Sequence, residues 1–227
     1  ISANGLAILP GFIQTHVHLC QTLYRNRADD LELLDWLSKR IWPMEAAHDE
    51  LTLDAASKWG IYELLAGGTT CILDMGTVRF TDVIVQAVRE TGIRAILGKC
   101  LMDFREYCPK GLFESTGKAL AEAVDLFERY SGSENDRIRI GFAPRFAVSC
   151  TSALLGEVAK ISAEKNAIVH THASENKKEL ELVRKISGLE NIHYFDQLGL
   201  TSNRLVLAHC VWLNSSELNV IRNKKTS

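Results

Sequence analysis

Two histidines close an apolar run, Pro10-Gly11-Phe12-Ile13-Gln14-Thr15-His16-Val17-His18. On a strand, residues i and i+2 point to the same face, so His16 and His18 converge on one point while Val17 faces away. Two convergent imidazoles make half of a metal site. A pair of this kind also occurs on exposed edge strands, and the rest of the chain has to separate the two readings. Later apolar runs end in the same kind of residue: Ala167-Ile-Val-His-Thr-His172, followed by Glu175, and Arg204-Leu-Val-Leu-Ala-His209. Four of the seven histidines, His16, His18, His172 and His209, fall at the ends of strand-like runs, which favours one shared metal site over four separate accidents. Glu175 fits the first turn of a following helix as a plain charge, but its spacing three residues after His172 favours chemistry. His170 lies one pleat below His172 on the same face and reads as interior filling or as support for the site. His48 and His193 fall in helix or loop contexts and read as solvated. Asp74 and Asp103 also end strand-like runs, and helix N-capping is the reading preferred for both.

The elements that position these residues alternate. Strand-like runs begin near residues 11, 69, 94, 137, 167 and 204. Helical patterns lie between them at about 81–91, 115–131, 151–165, 176–199 (broken near Gly188) and 214–223. Before the second strand there are two more helices. Asp29-Asp30 is the expected N-cap of the first, with Leu31, Leu34, Leu37 and Ile41 on one face and Pro43 as its stop. The second runs from about Leu51 to Ala66 and ends at Gly67-Gly68. Six strand–helix units predict a parallel α/β sheet, and that number exceeds half of a (β/α)8 barrel. In such a barrel the active site lies at the C-terminal ends of the strands, where the histidines are.

Composition excludes several classes. A formal net charge of −2 over 227 residues argues against nucleic-acid or acidic-membrane partners. No apolar run is long enough to span a bilayer. Cys20, Cys71, Cys100, Cys108, Cys150 and Cys210 form no Cys-x-x-Cys pair and read as reduced, which favours the cytoplasm. Gly111 to Gly117-Lys118 has five intervening residues where a P-loop needs four. His-Glu-x-x-His, Gly-x-Ser-x-Gly and the cysteine-rich zinc deaminase signature are missing from the sequence.

Pro10 to His18, His172-Ala-Ser-Glu175 and Leu207-Ala-His209-Cys-Val-Trp together resemble the amidohydrolase superfamily, in its branch of aminohydrolases acting on purines, adenosine derivatives and triazines. The resemblance implies a (β/α)8 TIM-type barrel, incomplete here, beside a small β-sandwich of which residues 1–9 are a remnant and lead-in, with 10–227 the partial barrel. It implies one divalent metal, zinc or sometimes iron, held by His16, His18, His172 and an Asp on the eighth strand. Glu175 would carry a proton to the ring of the substrate, and His209 would polarise the attacking water and also approach the metal. Thr22-Leu23-Tyr24-Arg25 and Trp42-Pro43-Met44-Glu45 resemble deaminases of S-adenosylhomocysteine, methylthioadenosine and 5'-deoxyadenosine, where the residue matching Glu45 binds ribose. Gln21 and Ala143-Pro144-Arg145-Phe146 resemble guanine deaminase, where their counterparts hold the base.

The expected function is therefore metal-dependent hydrolytic deamination of a purine base or nucleoside by a homo-oligomer. Hydrolysis of a triazine and a non-catalytic, self-associating fragment are the alternatives. The chain starts at Ile1 and ends at Ser227 after the sixth unit. The expectation from the resemblance is that two strands and the eighth-strand Asp lie outside it. On that reading the chain alone is inactive and tends to associate through its first and sixth strands.

Overall fold

The computed structural model describes residues 4–28 and 30–227. Six strands form one parallel sheet in chain order: β1 (Phe12–Val17), β2 (Thr69–Asp74), β3 (Arg94–Leu101), β4 (Ile138–Pro144), β5 (Val169–Ala173) and β6 (Leu205–His209). Helices Thr81–Thr91, Thr116–Tyr130 and Ser152–Lys165 make the crossovers after β2, β3 and β4. The predicted break near Gly188 divides Lys177–Ser187 from Asn191–Gln197, and Gly188 takes a left-handed φ of 75°. Ser215–Lys224 follows β6. The architecture is an incomplete (β/α)8 TIM-type barrel.

The core lies between strands and helices. Ile72, Leu97, Ile138 and Ile140 of the sheet pack with Ile84, Val85, Val88 and Leu126 of the helices. Burial of such side chains from water is the main stabilising term, at about 1.5–3 kcal/mol each. Gly76, just after β2, has φ 69°, and a Cβ there would lie 2.0 Å from the Gly98 carbonyl oxygen, so backbone conformation and space both require glycine.

The stretch after β1 differs from expectation. Asp29 lies outside the described residues, and Asp30 has a left-handed φ of 63° instead of capping; Glu32 is the residue before the helix Leu33–Trp36. Pro43 does not stop the helical path. A π-turn over Leu37–Ile41, in which the Trp42 N–H bonds to the Leu37 carbonyl, leads into Trp42–Ala46, and this wider turn takes the chain past Pro43, which has no N–H to donate. This continuation carries Glu45 inward, to 8% exposure.

β1 and β6 are the edges of the sheet. Phe12 and Ile13 on β1 are 56% and 67% exposed, matching the expected apolar edge. The other edge is better covered. Leu205 is fully buried, and Ser227 pairs beside it, donating its N–H to the Leu205 carbonyl at 3.1 Å and accepting from the Leu207 N–H at 2.8 Å. Among the described residues, no helix is long and apolar enough to cross a membrane.

One buried ion pair ties β3 to the residues just before its crossover helix. Lys99 is fully buried and donates to Glu114 Oε2 at 2.6 Å and to the Val78 carbonyl at 2.6 Å. Removing one partner strands the other charge, which typically costs about 3–5 kcal/mol, whereas replacing both with apolar groups costs far less. Glu122 Oε2, 3.7 Å from Lys99 Nζ, still offsets part of the lysine charge, so Glu114→Ala is expected to lower the unfolding free energy by about 3 kcal/mol, the lower end of that range, and Lys99→Met/Glu114→Leu to recover most of it in urea titrations.

Candidate active site

Period-two geometry on β1 brings His16 and His18 to the same side, with ring centroids 4.9 Å apart. β5, next to the other edge of the sheet, supplies His170 and His172. The His16 and His172 centroids are also 4.9 Å apart. β6 pairs Ala173 with His209, and this register stacks His209 on His172 with centroids 5.4 Å apart. Ligand-capable atoms of His16, His172 and His209 all lie within 4.8 Å of one another. His18 joins through its Nε2, 3.1 Å from His172 Nε2. The strand ends bend to achieve this. Ser174, His209 and Cys210 all take left-handed φ, at 52°, 76° and 51°. Strain of this kind concentrates at functional sites.

The hydrogen bonds of the rings bear on a metal. His172 Nδ1–H donates to the Arg145 carbonyl at 2.6 Å, so its Nε2 carries a lone pair. That lone pair faces His18 Nε2, while His18 Nδ1 is buried without a partner. Either tautomer of His18 leaves one buried nitrogen unsatisfied. A tetrahedral ion with bonds of about 2.0–2.1 Å sets its ligand atoms about 3.3 Å apart, close to the observed 3.1 Å. Burial, helped by neighbouring rings and Arg145, lowers His16 to about 4 and holds His18 and His172 well below the ordinary imidazole value. Rings held neutral are in the state that binds a metal. The donor set fits a divalent ion of zinc type. His170 is buried, with its Nε2 2.9 Å from His16 Nδ1, and so supports that ring from beneath.

Glu175 follows β5 and reaches back to the cluster, with its Oε2 3.5 Å from His209 Nε2. Burial raises its pKa, which favours a carboxyl able to hold a proton. The rings and Glu175 line a cavity of about 110 Å³, together with Gln21, Arg145 and Phe146. Trp36 of the helical stretch after β1 also lines it, and no sequence signal marked that residue. A wider cleft of about 710 Å³ runs along the open edge of β1 and shares His16, His18 and Gln21 with this cavity.

Glu45 does not line the cavity. Its carboxylate accepts from Arg145 Nη1 at 2.6 Å, from Arg145 Nη2 at 3.2 Å and from Gln21 Nε2 at 2.8 Å. Phe146 is 3% exposed and packs against Trp42.

Three of the sequence expectations change here. His48 is buried rather than solvated, because the Cys20 carbonyl lies 2.8 Å from its Nε2 and Thr52 Oγ1 lies 3.2 Å from its Nδ1. Asp103 ties two helix starts together instead of capping one, accepting from Thr116 Oγ1 at 2.6 Å and from the Thr151 N–H at 2.7 Å. Asp74 is seven residues short of the helix at Thr81; its Oδ1 accepts the Leu19 N–H at 2.8 Å instead and so anchors the turn that bears Gln21.

Asp74 Oδ2 is buried without a partner, and burial raises the carboxyl to about 7. The folded state then holds the proton more firmly than the unfolded chain. This contribution is fully present below about 3.8 and is lost as pH rises through about 7. Asp74→Asn keeps the acceptor for Leu19 and removes the charge. It is expected to stabilise the chain at pH 8 by up to about 4 kcal/mol, from three pKa units of about 1.36 kcal/mol each, and by much less at pH 5. Urea midpoints at the two pH values check this.

Comparison with known proteins agrees with this geometry. The chain is 36% identical over 222 residues to a 5'-deoxyadenosine deaminase of Methanobrevibacter smithii, covering 98% of this chain and 49% of that protein. Its backbone superposes on a guanine deaminase from C. acetobutylicum with bound guanine, with a TM-score of 0.90 at 27% identity, covering 96% of this chain and 53% of that one. An adenosine deaminase from Xanthomonas campestris with bound zinc superposes with a TM-score of 0.86 at 29% identity, covering 96% and 48%. The chain spans about half the length of the curated relatives it matches. The sequence pattern described as the Amidohydrolase family matches residues 7–227, which takes in all six strands and every strand-end histidine, and the chain belongs to that family.

Proposed function

We propose that this chain carries the metal-binding and base-binding part of a hydrolytic deaminase acting on an aminated purine, as free base or nucleoside. The observation that carries the reading is the meeting of His16, His172 and His209 with Glu175 on one cavity whose other polar wall is Gln21 and Arg145. His16, His18 and His172 would hold the ion, and a divalent metal there supplies a water acidic enough to act near neutral pH.

The remaining steps belong to the side chains. Arg145 and Gln21 bind the heterocycle by its edge and set the carbon that bears the amino group toward the histidines. Phe146 closes the apolar side and excludes bulk water. His209, beside Glu175, donates a hydrogen bond where negative charge develops. Glu175 delivers a proton to a ring nitrogen and then assists departure of ammonia, the acid and base roles that a carboxyl of raised pKa can combine.

The test is ammonia release by the zinc-loaded whole protein from guanine, adenosine, 5'-deoxyadenosine and S-adenosylhomocysteine, with a chlorinated triazine as comparison. Turnover of at least one purine is expected. Turnover of the triazine with none on the purines contradicts the reading.

A further inference from the structure

We infer that Glu45 is a positioning residue for base recognition, one that holds Gln21 and Arg145 in place without itself meeting the substrate. The inference rests on the deaminase reading above.

The Glu45 side chain is only 6% exposed, and that of Arg145 4%. The two guanidinium N–H groups that reach Glu45, at 2.6 and 3.2 Å, form a two-pronged fork onto its carboxylate. This fixes the plane as well as the position of the arginine. The third bond, from Gln21 Nε2 at 2.8 Å, joins the same carboxylate to the turn after β1. An ionised carboxylate offers about four lone-pair sites, and three are taken. Cys20 Sγ stands 4.0 Å from Oε1 on a further side. Little of the carboxylate is left to meet a sugar hydroxyl, and the cavity beside Glu175 is lined by the two residues that Glu45 holds and not by Glu45.

The consequences differ for the two partners. The Gln21 amide is oriented, because the nitrogen must face Glu45; its carbonyl oxygen is left as the atom available to a ligand. Arg145 is held twice. Glu45 fixes its side chain, and its backbone carbonyl accepts from His172 Nδ1 at 2.6 Å. One residue thus links the group that reads the base to a candidate metal ligand. The alignment of base and metal depends on the carboxylate behind Arg145.

The test is equilibrium dialysis of guanine and of adenosine against the whole protein in its metal-free form, which does not consume the ligand and yields both a Kd and the fraction of competent sites. Glu45→Asp keeps the charge and withdraws it by one methylene. It is expected to raise both Kd values by a similar factor, about 10- to 100-fold, with the site fraction unchanged. In a Gln21→Ala/Arg145→Met background the same change should cost about 2-fold or less, because nothing remains for Glu45 to hold.

A loss confined to adenosine, or one that persists in that background, means direct contact with the sugar and overturns the inference. A reduced site fraction at unchanged Kd means a purely structural role and also overturns it. Binding of neither ligand by the unaltered whole protein refutes the deaminase reading itself, and the Glu45 role with it. Should Glu45→Asp fail to fold, Glu45→Gln in the same background leaves no Arg145 charge unpaired. A change of about 2-fold or less there supports positioning, and a tenfold loss on adenosine overturns it.

Discussion

His172→Ala is expected to weaken zinc binding by at least about 100-fold. Losing an outer partner of a metal-bound histidine already costs about 10- to 100-fold, so losing a ligand sets that range as a floor. His172 is held from several directions. It lies 3.1 Å from His18 through Nε2, stacks on His209 and has its tautomer set by the Arg145 carbonyl. His193→Ala is the matched control, since that ring hydrogen-bonds to Ser216 at 2.8 Å and stands outside the metal-capable group. Competition with a chromogenic chelator measures both variants. Equal affinity in the two would remove His172 from the site.

The second large effect is expected at Glu175. Glu175→Gln keeps shape and hydrogen-bonding capacity and removes proton transfer. General acid–base groups contribute about 10²- to 10⁴-fold, so turnover of the preferred purine by the whole protein should fall within that range. Zinc content should be unchanged, because the metal-capable group is made of imidazoles. Loss of zinc together with activity would instead make Glu175 a ligand or a structural support.

Much of this arrangement is legible in the sequence. Strand faces alternate with a period of two, so His16 and His18 had to share a side, and His209 had to end its strand. The six apolar runs alternating with helical patterns led directly to the parallel order β1 to β6. Glycines did similar service at helix ends, as at Gly188.

What was not legible depends on long-range contact or on backbone detail. Glu45 and Arg145 are 100 residues apart in the chain, and nothing local marks their ion pair. The resemblance matches Glu45 to a ribose-binding residue, and the bonds that its carboxylate accepts from Arg145 and Gln21 leave no trace in the sequence around it. The π-turn that lets the chain pass Pro43 has no compositional signature, and it carries Glu45 to that position. His48 looked solvated because its partners are a backbone carbonyl and a hydroxyl, neither of which leaves a periodic trace. The Arg145 carbonyl that orients His172 is a main-chain group, invisible to any motif.

The central claim is that histidines from β1 and β5, strands near the two edges of the sheet, hold one metal ion. The most direct measurement is anomalous diffraction at the zinc edge from crystals of the zinc-loaded chain. The predicted result is one strong peak about 2.0–2.1 Å from a ring nitrogen of each of His16, His18 and His172. A zinc peak elsewhere, at a cysteine or a surface carboxylate, with the His16 and His172 rings turned toward different points, would contradict it.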